Sequence, residues 1–242
     1  EVILATYRDD FTKYAGRVDP LRIQKVFDSV PGIIGSKFMY SRVDKEERSR
    51  DLKKALELLC RARVHYRIHH THANGIPLKA EADESVFKVL FLDVGLMCRA
   101  LGLGIIDIEK AEDLILVNSG AVCEQFIGQE LLYQKEWFEE PSLFCWIREK
   151  RQSNAEVDYI ICIGETVLPV EVKAGKTGTL KSLHLFLQKK ERDFGIRFNT
   201  DYISLLEGKT SLSRGTNKEF RLLSLPLYMI GQTKRICREI FS

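Results

Sequence analysis

Three charged residues interrupt two apolar runs in EVDYIICIGETVLPVEVKAG, residues 156–175: Asp158, Glu171 and Lys173. Gly164 and Glu165 read as a two-residue hairpin turn, which pairs Ile163 with Thr166. Continued outward, that register sets Asp158 across from Glu171 and Glu156 across from Lys173. Side chains two apart share a face of a strand, so Glu171 and Lys173 project the same way, alongside Asp158. Val157, Tyr159, Ile161, Val170 and Val172 make the other face, a core surface. Opposed carboxylates repel across a sheet. A divalent cation compensates best, since Mg²⁺ is held by one or two carboxylates with water and substrate phosphate. Lys173 within a charged network is the other compensation. The plain alternative is an exposed sheet face of mixed charge. Against it, Ile160 and Cys162 share the face with the charges and mark it as half-buried. Glu124, among Ala121, Cys123, Ile127 and Gly128, is a fourth candidate acid, although a lone helical Glu is usually solvated.

These residues need elements to hold them. From Pro20 to Ile68 the periodicity is helical. DPLRIQKVFDSV puts Leu21, Val26, Phe27 and Val30 on one face behind an Asp19 cap and a first-turn Pro20. KEERSRDLKKALELLCRA continues with Leu52, Ala55, Leu56, Leu59 and Cys60. RVHYRI and VFKVLFLD are strand-like and flank a loop with Asn74, Gly75 and Pro77. Helix, helix and two-stranded ribbon is the order of a winged-helix module. From Ser119 the order becomes helix (SGAVCEQFIGQELLY, with Val122, Phe126 and Ile127 inward), strands LFCWIRE, EVDYIICI and TVLPVEVK, helix TLKSLHLFLQKKERD and strand RFNTDYISLL. LPLYMIGQTKRICREIFS is read as a last helix with Met229, Ile230, Cys237, Ile240 and Phe241 as its apolar stripe. A boundary within residues 107–118 gives an α+β or α/β chain of two lobes, a helical, winged-helix-like one over 1–112 and a second over 113–242.

Composition bounds the function. A chain of 242 residues, 45% hydrophobic, can bury one core or two, and a net charge of +3 does not by itself announce a nucleic-acid binder. No apolar run approaches the roughly 18 residues of a membrane span, and no signal peptide opens the chain. Six scattered cysteines without a C-x-x-C pair are the usage of reduced thiols in a cytoplasmic protein. The first residue is Glu1, not Met, so the chain is read as a piece of a longer polypeptide.

Other signals weigh less. AGKT (174–177) and GKT (208–210) resemble the end of a phosphate-binding loop, but Val170 and Ile203 stand where its first glycine is required. His65, His69, His70 and His72 lack a carboxylate or cysteine at ligand spacing and read as a solvated loop. Residues 36–70 carry ten Lys and Arg against five acids, Arg48, Arg50, Lys53 and Lys54 among them. Such a helix suits phosphate contacts, or is solvated and laced by i,i+4 pairs such as Glu46–Arg50.

Glu in a first helix, Asp in the second strand and Glu-x-Lys in the third resemble the PD-(D/E)XK nuclease fold, whose core runs α-β-β-β-α-β. The chain resembles more closely the C-terminal region, a domain of unknown function, of a large prokaryotic family of AAA-type ATPases. The stretches that carry this are YRDDFTKY, RVDKEERSRDLKKALELL, FKVLFLDVGLM, GAVCEQFIGQELL, EVDYI, PVEVKAG, LKSLHLFL and LPLYMIGQ. The resemblance implies that Asp158 and Glu171 hold Mg²⁺ or Mn²⁺, that Glu124 is an accessory ligand or orienter, that Lys173 is the catalytic lysine and that Gln188 contacts substrate. Val157 stands where the named motif has proline. The resemblance further implies DNA as partner, an ATPase module before residue 1 and ATP bound only there. Three functions follow: a metal-dependent DNA nuclease, a non-catalytic DNA- or protein-recognition module that directs the ATPase, or a structural lobe that packs on the ATPase or forms an oligomer.

Overall fold

The computed structural model describes residues 1–14, 16–104, 119–134, 138–148, 154–175, 179–210 and 218–241 and is a mixed α+β structure. Its helices are α1 (Val2–Asp10), α2 (Pro20–Ser29), α3 (Tyr40–Val43), α4 (Ser49–Arg61), α5 (Val94–Ala100), α6 (Ser119–Tyr133), α7 (Lys181–Lys189) and α8 (Thr233–Phe241). Its strands are β1 (His65–Thr71), β2 (Ala82–Phe91), β3 (Phe144–Arg148), β4 (Ala155–Ile163), β5 (Thr166–Val172), β6 (Phe194–Asn199), β7 (Ser204–Thr210) and β8 (Lys218–Pro226). They form one mixed eight-stranded sheet in the order β2-β1-β3-β4-β5-β6-β8-β7. Two compact units share the chain: Glu1–Arg67 with Lys88–Gln129, and Ile68–Phe87 with Glu130–Ser242. The expected boundary at 112/113 lies outside the described residues, as do Lys176 and Thr177 of the AGKT stretch. Among the described residues no helix is long and apolar enough to cross a membrane.

In the first unit Asp19 caps α2 by accepting the Leu21 N–H at 2.9 Å, and Pro20 sits where its missing N–H costs nothing. The stripe differs by one residue from the expected one. Leu21 is 68% exposed, and Ile23 joins Val26 and Phe27 in the core. Phe27 is the hub of an aromatic cluster, with the rings of Phe11, Phe91 and His65 at 5.3, 5.2 and 5.9 Å. Helix α4 starts at Ser49 and not near Lys45, because the Asp44 carboxylate accepts the Glu46 N–H at 2.8 Å and turns the chain there. The expected Glu46–Arg50 pair does not form. Instead Arg22 and Lys25 of α2 reach Glu47 at 2.9 and 3.2 Å, and Lys25 reaches Asp44 at 2.7 Å.

The two strands read as a winged-helix ribbon belong to the main sheet, where β1 runs parallel to β3 with His69 beside Phe144. His65, His69 and His70 therefore lie on a strand, not in a solvated loop. His65 is fully buried, and His70 accepts the Ile147 N–H at 3.0 Å through Nδ1.

The second unit is organised around α7. Leu183, Phe186 and Leu187 pack into a cluster with Trp146, Val157, Ile160, Val167 and Leu222. Gly195 on β6 admits the helix, since a Cβ there would stand 3.3 Å from Leu183. RFNTDYISLL is two strands, β6 and β7, with a break after Asn199, and the sheet also takes in β8, a strand absent from the expected order. The tail is a 3-10 turn over Leu227–Gln232 before α8, whose buried residues are Thr233, Ile236 and Cys237. Ile236 thus takes the place expected for Ile240, while Phe241 rests against Phe194 with ring centroids 5.0 Å apart.

Candidate acidic site at the β4–β5 hairpin

The hairpin forms at Gly164, which takes φ +61°, a value that glycine tolerates. Its register is the expected one from Ile163–Thr166 to Tyr159–Val170. The Asp158–Glu171 and Glu156–Lys173 pairs are not part of that ladder. Between Trp146–Val157 and Phe144–Ile160, β4 advances three residues while β3 advances two, so β4 bulges at Asp158 and Tyr159. This bulge puts Val157 into the cluster that holds Ile160, whereas the alternation assigned the two to opposite faces.

At the bulge the Asp158 carboxylate accepts the backbone N–H of Val172 at 2.8 Å. One of its oxygens lies within 4.8 Å of a carboxylate oxygen of Glu156, whose backbone N–H donates to Ser182 Oγ of α7 at 3.3 Å. Glu171 is buried and accepts from Lys173 Nζ at 2.5 Å, so the two project the same way as alternation requires. Three carboxylates and one ammonium thus occupy the open end of the hairpin. Oxygen donors of this kind suit a hard divalent cation such as Mg²⁺ or Mn²⁺, and in this unit Glu156 and Asp158 are close enough to share one.

Glu124 belongs to the first unit. It is buried on α6 in an ion pair with Lys88 of β2, itself 1% exposed. Gly35, at φ +83°, lies against its carboxylate, where a Cβ would stand 3.1 Å from Oε2. The next residue, Gln125, accepts the Phe91 N–H at 2.9 Å and donates to the Phe91 carbonyl at 2.7 Å, acting as a strand partner to the end of β2. The polar Glu124 and Gln125 are accordingly buried, while Val122 and Phe126, expected inward, stand differently: Val122 is half-buried and Phe126 is held less deeply than Ile127, which is fully buried.

The remaining candidates are on other elements. Gln188 stands in the last turn of α7, the opposite end of the helix from the Ser182–Glu156 contact. Arg48, Arg50, Lys53 and Lys54 are exposed at and along α4, and none makes an ion pair among the described residues. The neighbouring acids are committed to α2. A hydrogen bond from Lys25 holds the Asp44 carboxyl below its usual range, and bonds from Arg22 and then Lys25 do so for Glu47. Two charged residues escape a reading of the sequence alone. Lys88 interrupts the apolar FKVLFLD, and that interruption is a signal. Arg197, in GIRFN, is the register neighbour of Glu171 on β6.

Residues 1–105 match the profile of a domain of unknown function (DUF8612), and residues 119–228 that of a second domain of unknown function (DUF4143). No curated protein matches the chain.

Proposed function

We propose that the chain is the C-terminal part of an AAA-type ATPase whose second unit is a PD-(D/E)XK-type, metal-dependent DNA nuclease. The observation that supports this best is the bond from the Val172 amide to Asp158 at the β4 bulge, which ties that acid to β5 between Glu171, buried, and its partner Lys173. In this reading Asp158 and Glu171, with Glu156 beside them, hold Mg²⁺ or Mn²⁺, which supplies charge neutralisation at the scissile phosphate and an acidified water. Lys173 moves from Glu171 to orient the nucleophile, and the Val172 amide fixes the Asp158 rotamer. Glu124 is proposed as an accessory acid and Gln188 as a substrate contact. Arg48, Arg50, Lys53 and Lys54 bind the DNA backbone, and ATP is handled by a module outside these 242 residues.

One observation favours a non-catalytic recognition module instead. Lys173 already donates to Glu171, and the Val172 amide already donates to Asp158, so both acids have a compensating partner without a cation. Cleavage of supercoiled and linear DNA with Mg²⁺ or Mn²⁺ separates the two, with DNA binding read in parallel. Cleavage by the wild type that is lost in Glu171→Ala and Lys173→Ala establishes the nuclease. No cleavage, with binding equal in all three proteins, establishes the recognition module.

A further inference from the structure

Register places Arg197 in a polar row across three strands. It neighbours Glu171 on one side and Ser224 on the other, through the parallel β5–β6 and β6–β8 ladders. Register partners in a sheet point to the same face. Two residues earlier in the same ladder are Gly195 and Leu222, and that face is covered by Leu183 of α7. The row therefore lies one step beyond the helix-covered cluster, at the carboxyl ends of β5 and β6. Ligands of open sheets with parallel strands gather at that end.

Arg197 is held in an unusual state. Its Nε and one Nη both donate to Ser224 Oγ, at 3.1 and 2.9 Å, and Ser224 is 1% exposed. Two hydrogen bonds to one neutral hydroxyl fix the guanidinium plane and, among the described residues, leave its other donors uncommitted. The side chain is half-buried, and among the described residues no carboxylate forms an ion pair with it. A cation withdrawn from water without a counter-charge is costly unless an anion supplies it. The guanidinium fork matches two phosphate oxygens at once.

We propose that Arg197, oriented by Ser224, is a phosphate-binding residue that seats a backbone phosphate of DNA beside Glu171. The assignment rests on the reading of the acidic site as one that handles phosphodiesters. It explains why a serine is buried at the strand position next to Arg197.

The test is equilibrium binding of a short fluorescent DNA duplex in Ca²⁺, over a series of salt concentrations. Wild type, Arg197→Ala, Arg197→Lys and Ser224→Ala are compared after their melting curves are matched. Arg197→Ala is expected to weaken binding about tenfold and to reduce the salt slope by about one, as for loss of one phosphate contact. Arg197→Lys, which keeps the charge and the fold, is expected to retain the slope with weaker binding, and Ser224→Ala to fall between. Wild-type affinity and slope in both Arg197 variants would overturn the phosphate seat while leaving the acidic site standing. Failure of the wild type to bind DNA would overturn the parent reading and this proposal together.

Discussion

Asp158 on β4 accepts the backbone N–H of Val172 on β5, so a side-chain carboxylate replaces a main-chain carbonyl where the hairpin ladder ends. The same group is both a structural fastening and a candidate ligand. The two roles separate by substitution. Asp158→Ala loses the acceptor and is expected to cost about 1.5–3 kcal/mol, the range for a hydrogen bond to a charged group. Asp158→Asn keeps an acceptor oxygen and is expected to stay close to wild type in stability. Both should lose Mn²⁺ binding, measured by calorimetric titration beside thermal melts.

Lys173 and Glu171 make a second separable pair. Lys173→Met leaves the Glu171 carboxylate, 6% exposed, without its ammonium partner. The expected cost is about 2 kcal/mol at neutral pH, below the ~3–5 of a fully buried broken pair because Lys173 is partly solvated. A divalent ion should then substitute for the lost charge. Millimolar Mn²⁺ is expected to raise the melting temperature of Lys173→Met more than that of the wild type. An equal shift in both would count against a cation at Glu171.

His65 gives the first unit an acid sensitivity. Its Nδ1–H donates to the Val64 carbonyl at 2.8 Å, and its Nε2 is buried without a partner, so the ring is neutral in the fold. Burial pushes its pKa down from 6.5 to about 3. The unfolded chain therefore binds a proton that the folded one refuses. The contribution is complete above pH 6.5 and declines as pH falls toward about 3, at about 1.4 kcal/mol per pH unit. His65→Phe, which keeps the stacking against Phe27 and Phe91, is expected to flatten this part of the profile in denaturant titrations from pH 7 to pH 4.

Gly35 is confined by its own backbone and by Glu124. At φ +83°, with Glu124 Oε2 only 3.1 Å from where an alanine Cβ would stand, Gly35→Ala is expected to destabilise by about 1–3 kcal/mol. Gly32→Ala, where nothing lies within 4 Å, is the control and is expected to be near neutral. Urea unfolding of both variants distinguishes a local strain from a general intolerance of substitution.

The basic face of α4 should behave as a surface and nothing more where stability is concerned. Among the described residues Lys53→Glu and Lys54→Glu break no ion pair, so the melting temperature is expected to hold, with changes within about 0.5 kcal/mol. DNA affinity should fall evenly across sequences, with the salt slope reduced by about one per contact. Unchanged affinity would remove α4 from the nucleic-acid surface.

What is legible in the sequence depends on how local the cause is. The Asp19 cap, the α4 stripe and the register from Gly164 follow from residues within a turn or two of one another. The bulge at Asp158 leaves no mark in EVDYI, because it is set by the pairing of β4 with β3. Glu47 has Arg50 and Asp51 close by in sequence, yet its partners are on α2. Glu124 has only uncharged neighbours in sequence, and its lysine comes from β2. Arg197 is one basic residue in an apolar strand until the parallel ladder sets it beside Glu171 and Ser224.

The chain visits the two units alternately, and this has a consequence for how the second one forms. Its residues 68–87 are made long before 130–242, and His70 meets the Ile147 amide across a separation of 77 residues. Closing so long a loop costs entropy before the contact returns any, and parallel pairing adds no local hairpin to lead the way. The first strand must therefore wait, with its edge unsatisfied, for the rest of its sheet. A fragment beginning at residue 113 would lack that strand altogether, and for expression the whole chain is the sensible unit.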